Sequence, residues 1–264
     1  MKSLTNLPNG WHKVKVYQFK ELRSLKEAEG FLNIQLETLA ILSDISTEEI
    51  EELTLEEISN LFKSVKWVLN EPKKGLANEI VIDEETYFLQ PFNKLTLDEF
   101  IDLEYFLQND YLTHIAHIAS VFWRRIDRDK WQNISFEPYI FSPFERQQIF
   151  EEIEITKIYG IVPEYIKYRE NILNNYKGLF NEDDEDDDER LDPKDFDSLE
   201  EYKEELKAQE QSKKAKKWGW ENLIFELCEG DLTKIKAVGK LPLILVFNML
   251  AMRKEMGLND TLKF

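Results

Sequence analysis

The sequence predicts a mainly α-helical fold, with two related helical units joined by a small β-hairpin and a C-terminal helical segment on an acidic linker. Three observations lead to this prediction. Residues 11–25 and 92–106 repeat one spacing of large apolar side chains. Apolar residues recur at helical intervals along most of the chain. A run of acidic residues separates the body of the chain from an apolar C-terminal segment.

The two repeated segments read WHKVKVYQFKELRSL and FNKLTLDEFIDLEYF. Their large apolar positions coincide without a gap. The matched pairs are Trp11 with Phe92, Val14 with Leu95, Val16 with Leu97, Phe19 with Phe100, Leu22 with Leu103, and Leu25 with Phe106. An internal repeat indicates how the fold is built. The matched positions contain no set of residues typical of a catalytic site. We therefore expect a duplicated helical scaffold.

The first helical unit is expected to span residues 1–78. After the helix within the first repeat, residues 33–42 again have helical spacing. Ser46 or Thr47 is the expected N-cap of the next helix, because a hydroxyl can accept a hydrogen bond from a free backbone N–H. Thr54 with Glu57 forms a capping-box pattern at the start of one more helix.

A β-hairpin is expected over residues 79–91, between the two helical units. Ile80–Ile82 and Thr86–Leu89 are short β-prone runs on either side of a polar turn at Asp83–Glu85. A two-stranded hairpin is marginally stable on its own. We therefore expect it to pack on helices or to pair with another strand.

The second helical unit is expected to span residues 92–180. Thr96 and Glu99 form a further capping-box pattern. A helix is predicted over 111–125, and the following insertion has no counterpart in the first unit. The last helix of this unit is predicted to begin near Pro163 and to end at Gly178.

The composition changes after residue 180. Residues 181–210 contain sixteen acidic and four basic residues, with an unbroken acidic run from Glu182 to Glu189. We interpret 181–217 as an acidic linker followed by a charged helix. Residues 218–264 are predicted to form a helical hairpin, with one helix at Trp220–Cys228 and another from Pro242 to about Met256.

The composition also restricts the classes of function. The chain has 264 residues, 42% of them apolar, and a net charge of −18. Direct nucleic-acid binding through a basic face is therefore not expected. There is no N-terminal apolar run, the longest apolar stretch is about a dozen residues at 241–252, and cysteine occurs once. These features predict a soluble, unexported protein without disulfides.

No catalytic signature was found in the sequence, so we expect no enzymatic activity, no cofactor and no bound metal. His114 and His117 share a helix face, but no cysteine or third histidine lies nearby in sequence. A metal-dependent enzyme built on this pair is the least favoured hypothesis. Cys228 has apolar neighbours and is interpreted as a small buried hydrophobe.

Two stretches are candidates for binding a partner protein. The first combines aromatic and basic residues in the insertion of the second unit: Trp123, Arg124, Arg125, Arg128 and Trp131. It is expected to contact another protein or to be a helix end salt-bridged to acidic residues, and contact with a phosphate backbone is the less favoured alternative. The second is the apolar C-terminal segment: Trp218, Trp220, Leu243, Phe247, Met249 and Met252. A charged linker before an apolar segment favours a partner-binding role for that segment, although such stretches also form cores.

Two phrases resemble tailed-bacteriophage structural and morphogenesis proteins. The first is T-x-x-E-F-I-D-L-E, here Thr96, Glu99, Phe100, Ile101, Asp102, Leu103 and Glu104, followed at some distance by the helix IASVFWRR. The second is W-x-x-L-I-x-x-L-x-x-G-D, here Trp220, Leu223, Ile224, Leu227, Gly230 and Asp231. The resemblance covers about half of the chain. Such phrases are typical of tail-assembly chaperones and of related tail or capsid-associated proteins, including those of crAss-like phages of gut Bacteroidales.

The resemblance implies a non-enzymatic phage protein that binds other phage proteins during virion or tail assembly. It would act either as a tail-assembly chaperone or as a structural or cargo component packaged in the virion, and could form oligomers. The alternative is an acidic decoy or inhibitor, in which Glu182–Glu189 would occupy a basic surface on a nucleic-acid-handling protein. The resemblance also implies a location in the virion or in the host cytoplasm, and no membrane partner is expected.

Overall fold

The structure is a computed structural model that describes residues 7–25, 30–108, 110–128, 134–139, 143–179 and 219–257. The acidic linker and charged helix expected at 181–217 lie outside the described residues, and both stay predictions.

The described part of the chain is mostly helical, with small antiparallel sheets. The α-helices are α1 (Val16–Ser24), α2 (Phe31–Ser43), α3 (Thr47–Glu51), α4 (Leu55–Ser64), α5 (Leu97–Gln108), α6 (Ile115–Phe122), α7 (Pro143–Glu151), α8 (Ile161–Asn175), α9 (Gly219–Leu227), α10 (Ile235–Gly239) and α11 (Leu243–Glu255). The strands are β1 (Glu79–Ile82), β2 (Glu85–Leu89), β3 (Trp123–Arg124), β4 (Ile126–Arg128) and β5 (Ile134–Phe136). The mainly helical fold class is confirmed.

The chain divides into two compact units, each discontinuous in sequence. Unit 1 lies within residues 1–91 and 102–166, and unit 2 lies within 92–101 and 167–264. Helices α5 and α8 contribute residues to both units. The division of the sequence into five consecutive segments stays a prediction.

The helix starts of unit 1 follow the capping signals of the sequence. The side chain of Ser46 accepts a hydrogen bond from the N–H of Glu49 and caps α3. At α4 the Thr54 N–H donates to the Glu57 carboxylate at 2.8 Å, and the Thr54 hydroxyl accepts from the Glu57 N–H at 3.3 Å. Both predicted caps are confirmed. Each satisfies backbone groups that the first helical turn leaves free.

The predicted hairpin is also confirmed, and it gains a third strand. Strands β1 and β2 pair antiparallel around Asp83 and Glu84, which both have positive φ angles, of 49° and 67°. Two positive φ values at a two-residue turn match the right-handed twist of a hairpin. Strand β2 then pairs with β3. The hairpin therefore has the additional support that a two-stranded ribbon requires.

The prediction of a helix through residue 125 is wrong at its C-terminal end. Helix α6 ends at Phe122, and Trp123 and Arg124 form strand β3 against Leu89 and Phe88 of β2. Pairing with a strand distant in sequence overrides the helical pattern at this point. The insertion that follows contributes the antiparallel pair β4 and β5.

Two glycines of unit 1 allow backbone segments to approach closely. The Gly160 N–H donates to the Gly75 carbonyl at 2.7 Å. A Cβ on Gly75 would lie 1.9 Å from the carbonyl oxygen of Thr156, and a Cβ on Gly160 would lie 2.7 Å from the carbonyl oxygen of Gly75. Side chains are excluded at both positions because rigid backbone atoms occupy the space.

Unit 2 is organised by a short backbone pairing. The Leu97 N–H donates to the Leu241 carbonyl at 3.0 Å, and the Leu243 N–H donates to the Leu95 carbonyl at 2.9 Å. Helix α11 begins at Leu243, directly after Pro242. The fully buried side chains of this unit include Leu97, Phe100, Leu223, Cys228, Leu243, Phe247 and Leu250.

The two repeated segments have the same local structure. Each begins with a 3₁₀ turn, at Trp11–Lys13 in unit 1 and at Phe92–Lys94 in unit 2. In each segment one residue then forms an isolated β-bridge, and an α-helix follows. In unit 1 the Val16 N–H donates to the Ile153 carbonyl at 3.0 Å, and the Ile155 N–H donates to the Val14 carbonyl at 2.9 Å. These bonds match the pair described for unit 2. Duplication of a larger helical scaffold stays a prediction.

Substituting Gly75→Ala is expected to lower the free energy of unfolding by about 2 kcal/mol, because the new methyl group overlaps the Thr156 carbonyl. Gly178→Ala is the control, since a Cβ there meets no atom within 4 Å. Urea unfolding monitored by circular dichroism measures both. Equal unfolding midpoints for the two variants would contradict the close approach.

Candidate partner-binding surface

Helix α11 is apolar on two opposite faces. One face carries Leu243, Val246, Phe247 and Leu250, which are all buried. The opposite face is exposed, and its side chains follow one another at spacings of three and four residues, which places them in a row along the helix. We call this row the apolar stripe, and it consists of Leu241 just before the helix and of Leu245, Met249, Met252 and Met256.

The apolar stripe is well exposed along its whole length. The exposed fraction is 40% at Leu241 and 62% at Met256, and the other members fall between these values. Unit 2 also exposes Phe225, Leu232 and Ile244. Eight of the fourteen exposed large apolar side chains in the described residues therefore belong to the smaller unit. Contiguous exposed apolar surface is characteristic of interaction sites rather than of an inert exterior.

The composition of the stripe suits it to binding a protein surface. Three of its five members are methionines, whose unbranched and polarisable side chains adapt to irregular partners. The helix beneath it is held from the other side. On that side Phe247 packs edge-on against Phe100 and against Tyr176, with ring centroids 5.8 and 5.3 Å apart. The stripe is thus an adaptable apolar surface on an anchored helix.

The predicted residues of the C-terminal segment fall into three groups. Leu243 and Phe247 are core residues of unit 2 and are inaccessible to a partner. Trp220 is half-buried, and its ring lies 4.9 Å from that of Phe100. Met249 and Met252 belong to the apolar stripe. Trp218 lies outside the described residues.

The aromatic and basic stretch of the insertion is largely structural. Trp123 is fully buried, and its indole N–H donates to the Ala77 carbonyl at 3.0 Å. Arg124 is 2% exposed and donates to the carbonyls of Val121 and Glu137. Burial removes these two residues from any surface contact.

The remaining arginines of this stretch have different positions. Arg125 is half-exposed and forms an ion pair with Glu137 at 3.1 Å. Burial raises the pKa of Glu137, but Arg125 and Arg146 outweigh it and hold that pKa below its ordinary value. Arg128 lies in strand β4, and Trp131 lies outside the described residues. Arg125 is therefore occupied by a local ion pair that links β4 and β5.

The two histidines of α6 pack as aromatic residues. His117 is buried, and the centroid of its ring lies 4.9 Å from that of Phe106 and 5.4 Å from that of His114. No group of three or more potential metal ligands occurs among the described residues. Cys228 is buried, as its apolar neighbours predict, and burial raises the pKa of its thiol.

Sequence reasoning missed Leu241, Leu245 and Met256 as members of the stripe. The signal that could have identified them is the spacing of three and four residues that they share with Met249 and Met252, which is visible in the sequence. The sequence does not show which of the two apolar faces of α11 is buried, so residues from both faces were selected. The structure separates the two faces.

The comparisons with known proteins yielded no match, whether to a family model, to a curated protein or to a solved structure. Among the described helices, none combines the length and the apolar character that crossing a membrane requires. The interpretation of the surface therefore depends on its own chemistry.

Lowering the pH from about 7 to about 5 is expected to destabilise the fold through His117. Burial first, and then the charges of His114 and Lys20, lower the pKa of His117 from 6.5 to about 4. The unfolded chain binds this proton below pH 6.5, but the folded chain does not until about pH 4, so stability falls as the pH falls through this window. We expect a loss of about 1 kcal/mol by pH 5, allowing for solvent screening.

The variant His117→Gln isolates this contribution, and His12→Gln at an exposed position is its control. Denaturant unfolding at several pH values should give a shallower dependence on pH for His117→Gln than for the wild type or for His12→Gln. If the free energy of unfolding depends on pH equally in all three proteins, His117 has the same pKa in the folded and unfolded chains, and the prediction is wrong.

Proposed function

We propose that this chain is a non-enzymatic protein that binds other proteins during virion or tail assembly of a tailed bacteriophage. The observation that carries the proposal is the second apolar face of α11. A helix that is apolar all round is normally buried on all sides. Here one side is buried in unit 2 and the other is exposed, as expected for a helix that awaits a partner.

The phage assignment is supported by the two sequence phrases, and the structure gives their residues definite roles. Phe100 of the first phrase and Trp220 and Leu223 of the second lie in unit 2, where Phe100 packs against Trp220. Both phrases thus contribute to the unit that presents the apolar stripe. We also propose that the repeated segments derive from one duplicated helical scaffold.

In this proposal the acid-rich residues 181–217 contribute solubility. They give the C-terminal segment no independent reach, because that segment packs in unit 2 against Leu95, Leu97 and Phe100. The protein acts in the host cytoplasm as a tail-assembly chaperone or is retained in the virion as a structural or cargo component. Mass spectrometry of purified virions separates these two roles, because stoichiometric abundance excludes a purely transient chaperone. The alternative of an acidic decoy depends on Glu182–Glu189, which lie outside the described residues.

Replacing two residues of the stripe, Met249→Glu and Met252→Glu, is expected to reduce partner capture by at least about tenfold, because two charges would be buried in an apolar interface. The matched control is Leu55→Glu with Leu69→Glu, two exposed apolar residues of unit 1. Quantitative affinity purification of the tagged chain from infected host cells measures the same phage proteins with each variant. Equal recovery with both variants would contradict a binding role for the stripe.

A further inference from the structure

We infer that the apolar stripe binds an amphipathic helix of a partner protein whose apolar face is bordered by acidic residues. This inference rests on the proposed function and specifies the chemistry of the partner. It follows from the charge that surrounds the stripe, from the position of that charge on the helix, and from the dimensions of the stripe.

The stripe lies in the most basic part of the described C-terminal segment. Residues 232–254 contain five basic residues and no acidic residue, in a chain with a net charge of −18. All five basic side chains are exposed: Lys234, Lys236, Lys240, Arg253 and Lys254. The flanking acids Glu229, Asp231 and Glu255 reduce the net charge of residues 229–255 to +2, and Lys234 forms an ion pair with Glu229 at 3.2 Å. On a strongly acidic protein this positive stretch is still electrostatically distinct.

The basic residues border the stripe rather than occupy it. Lys240 directly precedes Leu241, where the stripe begins. Arg253 follows Met249 by four residues and precedes Met256 by three, so it lies along one side of the same helix face. The surface thus consists of an apolar row with Lys240 before its first residue and Arg253 beside its last turn, where Glu255 also lies. The two cations suit an apolar helix face bordered by carboxylates.

The dimensions of the stripe match a single helix. Helix α11, which carries most of the stripe, has 13 residues, which corresponds to about 20 Å along its axis. Side chains three and four residues apart form ridges that fit between the ridges of a second helix. A partner helix of about four turns would cover the stripe, and such helix-on-helix recognition uses anchors at the same spacing.

A second copy of this chain is a poorer occupant. In an antiparallel pair the Arg253 end of one stripe would face the Lys240 end of the other, and in a parallel pair Arg253 would face Arg253. Both arrangements place like charges together and disfavour self-association. An anionic membrane surface is also disfavoured, because a net charge of −18 repels it.

The test uses two synthetic helical peptides of about eighteen residues with the same leucine stripe. One peptide carries glutamates and the other carries lysines beside the stripe. Fluorescence anisotropy measures the binding of each labelled peptide to the full-length chain at low salt and at about 0.5 M salt. The overall acidic field of the protein attracts the lysine peptide, so preference for the glutamate peptide reports the local surface.

The glutamate peptide is expected to bind at least about tenfold more tightly than the lysine peptide at low salt, and the difference should shrink at high salt. The double variant Lys240→Glu with Arg253→Glu is expected to abolish this preference. Met252→Glu is expected to weaken both peptides. Retained circular dichroism and thermal unfolding verify that each variant is folded. If one is not, Leu245→Glu replaces Met252→Glu, and Lys240→Gln with Arg253→Gln replaces the charge-reversal variant.

Several outcomes would overturn the inference. These are equal binding of the two peptides, preference for the lysine peptide, and no binding of either. Self-association that Met252→Glu abolishes in sedimentation experiments would assign the stripe to a second copy. If the chain floats with vesicles of anionic phospholipid, the stripe would be assigned to binding a membrane surface.

The proposed function is tested separately by affinity purification of the Met249→Glu and Met252→Glu variant. If the purification depends on the stripe but the peptides show no acidic preference, the partner chemistry is wrong and the binding function stands. If the purification is independent of the stripe, the proposed function itself fails.

Discussion

Two backbone hydrogen bonds determine the arrangement of unit 2. Leu97 donates to Leu241, and Leu243 donates to Leu95, at 3.0 and 2.9 Å. This pairing fixes the residue at which α11 begins and therefore its rotation about its own axis. Because each residue turns a helix by about 100°, a slip of one position would turn Phe247 away from the core. The same pairing that buries one face of α11 thus leaves the apolar stripe on the opposite face.

The exposed face has a thermodynamic consequence. Each large apolar side chain that a partner removes from water contributes about 1–2 kcal/mol to association, before the cost of ordering both surfaces is subtracted. A row of five such side chains therefore contributes about 5–10 kcal/mol before that cost, and its methionines allow it to adapt to a partner. The basic residues around the row add selectivity and steering more than affinity. A chain with a net charge of −18 can therefore recruit an acidic segment at one defined place.

The fold class, the hairpin and the caps at Ser46 and Thr54 were predictable because they depend on local signals. Residue spacing, β-branched runs and hydroxyl side chains act within a few positions of the chain. The strand at Trp123 and Arg124 was not predictable, since its pairing partner lies far away in sequence. No local sequence signal predicts the two pairs of backbone hydrogen bonds around Val14 and around Leu95 either. The candidate surface was found only in part because both faces of α11 are apolar, and burial alone distinguishes Phe247 from Met249.

The central claim is that one face of α11 is buried while the other is free in the isolated protein. Limited oxidation by hydrogen peroxide, followed by peptide mass spectrometry, tests it most directly, with alkylation of the buried Cys228 as the internal reference. We expect Met249, Met252 and Met256 to oxidise at rates close to those of an unfolded peptide, while Cys228 resists alkylation until the chain unfolds. Protection of these three methionines in the monomeric native protein would contradict the account.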